Sequence, residues 1–462
     1  MISAVRNHLR SRILPYLQAP LSTTTTTSSA PLLFSNMSLS QFLRNNKQAF
    51  LEDIKSNQGE GWTIVMGNEA GGKFSPRPFP IYLSLTPPLD LDSCASAIGA
   101  SYLSAKLDNT RAIALIQTSR ADLALRPENI LAFEFAHLDP SHTDLLTLDD
   151  VTASISLFDL RTSFALVDHN RLLPKFAADG EDRVTAIFDH HENEGKHAKA
   201  NPKIINTAGS CASIVADYYR NRFPTDDAMP DVASLLLSAI VIDTSGLKTK
   251  EDGGKAEDAD LIASKFLYPL SRFGSISTTG QSSTESKTIP DLSEVLSEAK
   301  LAVSHLPGRD LLRRDYKEYE FGSESAGNFT RVGLSTVPMG LEDWIERDGA
   351  TMFWTDQAQW VKERGLTFSA TLTTFRTKKK QKHKREMLVV FSSTKDGAVA
   401  DAPTGLEKKL YDGIESNEEL DAEQMELEGI EGRRARAWEQ KNKKATRKQV
   451  APAIKAIVEG GW

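Results

Sequence analysis

One stretch constrains this chain more than any other, because it joins an apolar, β-branched run to a carboxylate and two adjacent imidazoles. The run spans residues 184–188, and Asp189, His190 and His191 follow it directly. A run of this kind predicts a buried strand, and the chemistry of open parallel sheets collects at the carboxyl ends of their strands. Asp-His-His at such an end can hold a divalent metal ion or a phosphate. Taken alone, the stretch is equally typical of a polar loop that follows a strand.

The same design recurs along the chain and favours the metal or phosphate site. Apolar strands are predicted at residues 62–66 and 164–167, and an apolar helix is predicted at 232–242. The polar residues that follow these segments, directly or after an intervening stretch, are Asn68, Asp90, Asp92, Asp168 and Asp243. Strands that alternate with helices predict an α/β fold with a doubly wound parallel sheet.

Composition excludes several functional classes. The chain has 462 residues, a formal net charge of −7 and two cysteines. Two cysteines imply no disulfide framework and favour a reducing compartment, and the mild acidity argues against a general nucleic-acid partner. No apolar run is long enough to span a bilayer, so we expect no membrane partner.

Residues 1–36 look foreign to the fold. They contain three arginines and no acidic residue, and a run of Ser, Thr and Ala spans residues 22–30. This composition is typical of a mitochondrial presequence, and the alternative is a disordered extension with translation starting at Met37. We therefore expect a cytoplasmic protein, or a mitochondrial-matrix protein if residues 1–36 act as a presequence.

The remaining chain divides into two predicted domains. We assign residues 37–272 to the first domain, 273–290 to a flexible linker rich in Ser and Thr, and 291–462 to a smaller α/β domain. The strands predicted in the second domain cover residues 331–335, 366–375 and 387–391. The basic run 376–385 either attracts a long polyanion or is a solvated hairpin or import-like patch. The acidic stretch 412–431 is expected to form a helix or a mobile face.

Residues 72–89 fit no predicted element, because closely spaced prolines forbid a helix there. Without them, a tight turn would join the strand at 62–66 to a helix that begins at Asp92 or Ser93. We therefore predict that residues 72–89 are a translated, unspliced intron, with a genuine surface loop as the alternative. If the segment displaced Asp90 and Asp92, the chain would be an inactive binder of polyphosphate or of a protein partner.

The predicted sheet gathers the carboxylates at one edge, where they repel one another unless cations lie between them. Mixed Asp and His ligands suit Mn²⁺ or Mg²⁺, with Co²⁺ as an alternative, and no thiolate is available for a softer ion. Two such ions activate a water and neutralise phosphoryl oxygens. The sequence therefore predicts metal-assisted hydrolysis at phosphorus.

Four ordered motifs resemble the DHH phosphoesterase family, and they lie at residues 168–170, 189–191, 209–211 and 243–244. Basic motifs of the second half resemble the family's C-terminal DHHA2 domain, and they lie at residues 313–317, 385–386 and 447–449. The chain is most similar to the fungal cytosolic exopolyphosphatases, on the basis of residues 67–69, 90–93 and 189–195. Family II inorganic pyrophosphatases and prune-type phosphodiesterases are related families.

The resemblance implies a set of metal ligands. Asp90 and Asp243 would bind one metal ion. Asp92 and His190 would bind the other, and Asp168 would bridge the two ions and serve as a catalytic residue.

The resemblance also implies roles around those ligands. Asp189 would orient an imidazole, and His191 would face the substrate phosphate as a catalytic residue. The residues implied to bind substrate phosphates are Ser210, Lys317, Arg385, Arg447 and Lys448. Pyrophosphatases carry His where this chain has Asn68, so we place Asn68 beside the ligands and not among them.

We therefore predict a metal-dependent exopolyphosphatase that releases terminal orthophosphate from inorganic polyphosphate, with its active site in the cleft between the two domains. Within the same class, an inorganic pyrophosphatase or a prune-like nucleotide phosphodiesterase is the alternative. A catalytically impaired binding protein is the alternative from another class. The sequence does not determine the oligomeric state or the preferred length of the substrate.

Overall fold

The computed structural model describes residues 37–68, 89–176, 182–274, 287–322, 330–378, 381–392 and 405–460. These residues form two compact units, which are divided in the sequence between His305 and Leu306. The presequence-like residues 1–36, residues 72–88 of the predicted insertion and most of the predicted linker lie outside the described residues. Within the described residues, no helix combines the length and the apolarity that a bilayer span requires.

The first unit alternates strands with helices along the chain. Its elements are α1 (Leu39–Asn57), β1 (Thr63–Met66), α2 (Leu91–Leu107), β2 (Ala112–Ile116), α3 (Pro127–Phe135), β3 (Leu146–Thr147), α4 (Leu148–Thr152), β4 (Ser163–Val167), β5 (Val184–Asp189), β6 (Lys203–Ile205), α5 (Cys211–Tyr219), α6 (Met229–Asp243), α7 (Asp258–Leu267) and α8 (Ile289–Leu301). Short 3₁₀ turns lie at Arg120–Leu125, Leu157–Asp159, Pro174–Phe176, Arg220–Arg222 and Tyr268–Leu270.

The strands of the first unit form one parallel sheet with the order β3-β2-β1-β4-β5-β6. This is the order of a doubly wound sheet, in which the winding reverses between the neighbouring strands β1 and β4. Ligands of such folds bind outside the carboxyl ends of the strands at this reversal. The predicted fold class is therefore confirmed, and the topology indicates where a site belongs.

Both faces of this sheet are buried. On β2, Ala114 and Ile116 belong to the core under one face, whereas Ile113 and Leu115 belong to the core under the other. Strands covered on both faces are apolar throughout, because each residue faces a helix layer and not water. This is why continuous apolar runs identified the strands from the sequence.

Two boundaries differ from the predicted ones. Helix α2 begins at Leu91, because the Asp90 carboxylate accepts the Ser93 N–H at 3.0 Å and so caps the helix. Helix α8 packs its apolar residues Leu292 and Leu296 into the core of the first unit. The division between the units therefore follows this helix, although the sequence assigned its residues to the second domain.

The second unit is also built from helices and a sheet. Its elements are α9 (Gly308–Arg314), β7 (Tyr316–Phe321), β8 (Thr330–Val337), α10 (Leu341–Asp348), α11 (Ala350–Arg364), β9 (Phe368–Thr373), β10 (Phe375–Arg376), β11 (His383–Lys384), β12 (Glu386–Phe391), α12 (Leu406–Glu415), β13 (Ala422–Met425), β14 (Ala435–Gln440) and α13 (Arg447–Glu459). The sheet has the order β13-β14-β12-β9-β8-β7, and only the β8–β9 pair is parallel among its described strands.

Two charged stretches of the second unit adopt simple structures. At the two ends of the basic run, strands β10 and β11 pair in antiparallel fashion. The acidic stretch was expected to be a helix or a mobile face, but it contains the end of α12 and the edge strand β13. Charged side chains are typical of an edge strand, and Glu423 on β13 pairs with Lys441 at 2.8 Å.

Candidate metal centre

The candidate site of the first unit lies at the carboxyl ends of three neighbouring strands. Met66 near the end of β1 pairs with Leu166 on β4, so Asn68 and Asp168 leave the sheet side by side. Asp189 ends the next strand, β5, and His190 follows it. These positions flank the reversal of the sheet, where the fold predicts a ligand site.

Three side chains come together at this edge. Oδ1 of Asp168 lies 3.0 Å from Nε2 of His190 and 3.6 Å from Nδ1 of His191. Each of the three residues offers a ligand atom, and these atoms lie within 4.8 Å of one another. Oδ2 of Asp92 lies 3.9 Å from the same Nε2 of His190. The predicted residues Asp92, Asp168, His190 and His191 therefore share one cluster.

Asp168 is held from several sides. Its backbone has a φ of +63°, a left-handed conformation that non-glycine residues adopt rarely. Its N–H donates to the Phe188 carbonyl at 2.9 Å, and its Oδ2 accepts the Ser93 hydroxyl at 2.6 Å. These contacts fix the other carboxylate oxygen toward the imidazoles.

Asp92 is held by the beginning of α5. Its carboxylate accepts the backbone N–H groups of Cys211 at 2.7 Å and Ala212 at 2.9 Å, and the Ser210 hydroxyl at 2.6 Å. Free N–H groups at a helix N-terminus bind anions well. The Ser210 hydroxyl, which the resemblance implied to bind substrate phosphate, donates to Asp92 in this structure and so helps to position it.

The polypeptide on both sides of the predicted insertion converges at this site. The Asn68 N–H donates to the Ser93 hydroxyl at 3.0 Å. Gly67 approaches α2 so closely that a Cβ there would lie 2.5 Å from that of Ser93. In the chain that carries this segment, Asp92 therefore keeps its hydrogen bonds to Ser210 and Cys211. Leu89, the last residue of the predicted insertion, is buried in the core and belongs to the folded unit.

Asp189 is fully buried and organises the two histidines. It accepts the N–H groups of His190 at 2.8 Å and His191 at 3.1 Å, together with Nδ1 of His191 at 2.9 Å. Burial opposes ionisation, but the hydrogen bonds from His191 and Asn170 hold the pKa of Asp189 below its usual range. The same contact raises the pKa of His191. This arrangement agrees with the orienting role that the sequence implied for Asp189.

His190 lies between carboxylates. Its Nδ1 lies 2.9 Å from the Ala208 carbonyl, which leaves Nε2 directed at Asp168. Burial disfavours the imidazolium, but Asp168 and Asp92 outweigh it and raise the pKa of His190 to about 10. Burial and the charge of Asp168 raise the pKa of Asp92 to about 6. A histidine held by a carbonyl through its second nitrogen is the usual arrangement of a metal ligand.

Asp243 was also predicted as a ligand, and it ends α6 as expected. Its Oδ2 lies 3.4 Å from Nζ of Lys255. Burial raises the pKa of Asp243 to about 6, although Lys255 opposes the shift. Asp90 caps α2 at the surface, and its charge raises the pKa of both Asp92 and Asp243.

Sequence reasoning missed three residues of this site. Ser93 donates to Asp168, and Lys255 pairs with Asp243. Asp260 accepts the N–H of Gly209 at 2.7 Å and so holds the turn before α5. The sequence named Ser93 only as a possible start of its helix. Asp260 had a local signal of its own, because Glu257 and Asp260 form a capping box that marks the start of α7.

The donor set of the cluster fits a divalent cation. Carboxylate oxygens and imidazole nitrogens suit Mn²⁺ or Mg²⁺, and both cysteines are buried. The raised pKa values of Asp92 and Asp243 indicate that their negative charge is only partly neutralised by the chain. A bound cation would remove that cost.

The predicted phosphate-binding residues of the second unit share one edge of its sheet. The strand register defines this edge. The start of β7 lies beside the end of β8, and β8 and β9 end together. The end of β9 lies beside the start of β12, which in turn lies beside the end of β14. Lys317 lies on β7, and Arg385 directly precedes β12. Arg447 and Lys448 begin α13, which follows β14. We call these four residues the basic edge.

Two arginines of the basic edge have partners within the second unit. Nε of Arg385 donates to the Lys443 carbonyl at 2.8 Å, and Nη1 of Arg447 lies 3.0 Å from Oδ1 of Asp315. Burial lowers the pKa of Arg385. Lys448 is exposed. This edge therefore presents positive charge that could meet an anion.

The doubly wound sheet and its cluster define a class of α/β proteins with a candidate metal centre at the sheet reversal. Two family models narrow this class: the DHH family N-terminal domain matches residues 81–240, and the DHHA2 domain matches residues 294–457. The chain therefore belongs to the DHH family and carries a C-terminal DHHA2 domain.

Several curated proteins are similar to this chain. A putative exopolyphosphatase of Schizosaccharomyces pombe is 27% identical over 90% of the chain and 97% of that protein. The human exopolyphosphatase PRUNE1 is 26% identical over 62% of the chain, but the match spans only 54% of the human protein. A manganese-dependent inorganic pyrophosphatase of Methanocaldococcus jannaschii is 26% identical over 38% of the chain and 55% of its own length.

Among solved structures, a putative family II inorganic pyrophosphatase of Methanococcus jannaschii aligns with 86% of this chain and 99% of its own. The two share 18% sequence identity, with a TM-score of 0.49.

Proposed function

We propose that this protein is a metal-dependent exopolyphosphatase that hydrolyses the terminal phosphoanhydride bond of inorganic polyphosphate. The observation that carries the proposal is the cluster of Asp92, Asp168 and His190 at the reversal of the parallel sheet. The similar proteins named exopolyphosphatase and pyrophosphatase support the class of bond that is cleaved.

In this proposal, the residues that hold the divalent ions are Asp90, Asp92, Asp168, His190 and Asp243. Manganese-dependent relatives support a divalent ion such as Mn²⁺, with Mg²⁺ as the alternative. A bound divalent ion supplies positive charge that neutralises phosphoryl oxygens and lowers the pKa of a nearby water.

The chain's own residues would prepare the reaction around those ions. Asp189 fixes the ring of His191 through Nδ1 and favours its protonated form, so that His191 can donate a hydrogen bond to a phosphate oxygen. Ser210 and the first amides of α5 keep Asp92 in place. The basic edge would bind the phosphates that follow the terminal one.

Phosphate release from long-chain polyphosphate, pyrophosphate and a cyclic nucleotide, each with Mn²⁺ or Mg²⁺, tests the proposal. We expect release from long chains at the highest rate, with no release from the cyclic nucleotide. Release from pyrophosphate but not from longer chains would make the protein a pyrophosphatase. An absence of release from all three substrates would refute the hydrolase assignment.

A deletion variant addresses the predicted insertion. Because Leu89 is buried and donates its N–H to Thr118 at 2.9 Å, the deletion should remove residues 72–88 and retain Leu89. We expect the deleted and the full-length chains to bind metal alike, since Asp92 is in place. The mature transcript decides separately whether the segment is an intron.

A further inference from the structure

Lys255 places an ammonium group against the carboxylates of the candidate metal centre. Its Nζ lies 3.4 Å from Oδ2 of Asp243, and the charges of Asp92 and Asp90 also act on it. No motif of the sequence singled out this lysine, and the proposed function does not use it. A cation that belongs to the chain is unexpected among residues proposed to bind metal cations.

The lysine is delivered by an ordered loop. The loop between α6 and α7 closes through a bridge between Thr249 and Ala256, and the Ala256 N–H donates to the Lys248 carbonyl at 2.9 Å. The carbonyl of Lys255 lies against Gly209, where an added Cβ would be 2.9 Å away. The loop therefore packs against the same turn that positions Asp92, which fixes the backbone of Lys255 at the site.

The neighbours of the two carboxylates Asp168 and Asp243 consequently differ. On one side, ligand atoms of Asp168, His190 and His191 lie within 4.8 Å of one another. On the other side, Asp243 faces Lys255. Across the described ranges, no second trio of His, Cys, Asp or Glu brings its ligand atoms together in this way.

A lysine and a divalent ion compete for the same carboxylate. The ammonium satisfies one negative charge by hydrogen bonding and brings no need for further ligands. A divalent ion at Asp243 would have to displace the ammonium or accept its repulsion at short range, where like charges interact strongly. Beside Asp168, the neighbouring cation is His190, which becomes a neutral metal ligand once it loses a proton. The Lys255 ammonium has no lone pair and cannot become a ligand while it is charged, so it remains a competitor at Asp243.

We propose that Lys255 is a built-in counter-cation for Asp243, so that the protein binds one divalent ion tightly, at Asp92, Asp168 and His190, and a second ion only weakly. The inference rests on the proposed function only in treating this cluster as a metal centre. It makes the two predicted ions unequal in affinity, and it makes the second ion dependent on the release of Lys255 from Asp243.

The test is a titration of the metal-free full-length protein with Mn²⁺. Binding is monitored by calorimetry and by the electron paramagnetic resonance signal of free Mn²⁺. We expect one tight ion and a second that binds at least about tenfold more weakly. Lys255→Gln should tighten the second ion by about tenfold or more and leave the first nearly unchanged. Lys250→Gln is the matched control, because this exposed lysine of the same loop pairs with Glu257 and not with the cluster.

A second variant keeps the test decisive if Lys255→Gln misfolds, which circular dichroism would show. Asp243→Asn removes the carboxylate that Lys255 serves, and it should abolish the weak ion while one tight ion remains. Loss of both ions in Asp243→Asn, or two equally tight ions in the unmodified protein, would overturn the proposal.

Two further outcomes are distinguishable. If Lys255→Gln left both metal affinities unchanged and only raised KM for polyphosphate, the lysine would bind substrate and the proposal would be overturned. If the expected metal binding were seen in a protein that hydrolyses no phosphoanhydride, the proposed function would fail, and the role of Lys255 would stand.

Discussion

The two charged regions of this molecule are built in opposite ways. In the first unit, Asp92 and Asp168 are only 2% and 3% exposed, and each accepts hydrogen bonds from backbone or hydroxyl groups of other elements. In the second unit, the basic edge includes the exposed Lys448, and Arg385 is held through a single contact to a backbone carbonyl. The first region is therefore a buried anionic cluster, whereas the basic edge is only half-buried at Lys317, Arg385 and Arg447 and is exposed at Lys448.

Because of this difference, we expect the two regions to respond differently to the substitution of a charged residue. A buried charge that loses a partner cannot recover hydration, so the cost is large and falls on the whole cluster. A solvated cation contributes little by itself and is screened by salt. The first region should therefore respond to substitution in an all-or-none manner, and the second in small, salt-dependent steps.

The largest effect is expected for Asp168→Ala. Loss of the carboxylate at the centre of the cluster should lower both metal affinity and phosphate release by more than about a hundredfold, since residues that merely support ligands cost 10–100-fold. Asp217→Ala, an exposed carboxylate of α5 that pairs with Arg220, is the control. Retention of most of the rate by Asp168→Ala would remove this residue from the centre.

The second-largest effect is expected in the pH dependence of Mn²⁺ binding. In the metal-free protein, the pKa of His190 is raised to about 10, so the imidazole is protonated at neutral pH. The metal ion must displace that proton, and Mn²⁺ affinity should therefore rise about tenfold for each unit between pH 7 and pH 9. His190→Gln should remove most of this slope. A flat profile in the unmodified protein would contradict the assignment of His190 as a ligand.

A smaller effect is expected for Ser210→Ala. The variant loses the hydroxyl that donates to Asp92 at 2.6 Å, while the amides of α5 remain as donors. Mn²⁺ affinity should fall by roughly tenfold, at the low end of the range for residues that support a ligand. If metal affinity were unchanged and only KM rose, Ser210 would bind substrate phosphate as the sequence predicted.

Substitutions on the basic edge should produce graded changes. Arg385→Gln and Lys448→Gln should each raise KM for polyphosphate by a few-fold at low salt, about 1 kcal/mol or less, and by less at high salt. Lys408→Gln, an exposed lysine that pairs with Asp412, serves as the control. A loss of activity as complete as that of Asp168→Ala would show that the second region is as preorganised as the first.

The smallest change in KM is expected for substitution of Lys378, which follows β10 in the basic run. Lys378 already pairs with Asp343 at 2.8 Å and Glu346 at 3.1 Å, so little of its charge is available to a distant polyanion. Lys378→Gln should therefore change KM for long-chain polyphosphate by less than about twofold. A larger change that grows with chain length would establish the basic run as a path for the polyanion.

The fold was predictable where a local pattern reflects burial. Strands β1, β4 and β5 appear in the sequence as apolar runs because both faces of the sheet are covered. The short strand β13 escaped prediction, because its residues are half-exposed and polar and their extended conformation depends on pairing with β14. Helix α8, assigned from the sequence to the second domain, packs into the core of the first unit, since the sequence indicates an amphipathic helix but not the core that receives its apolar face.

The site was predictable to a similar extent. Asp168, His190 and His191 were found from the ends of strands, and the structure brings them together. Ser93 and Lys255 were not found, because a serine in a helix and a lysine in a loop carry no signal of what they contact. Their roles depend on the approach of β1 to α2 and on the packing of the 249–256 loop.

The sequence by itself determined the order of the helices and strands and the types of side chain at the strand ends. The spacing of apolar residues and their polar neighbours can be read from residues that are adjacent in the chain. Only the tertiary structure decided which polar atoms meet, such as Ser210 with Asp92 and Lys255 with Asp243. Such contacts join residues far apart in the chain, and they are selected by the requirement that each buried charge finds a donor or a counter-charge.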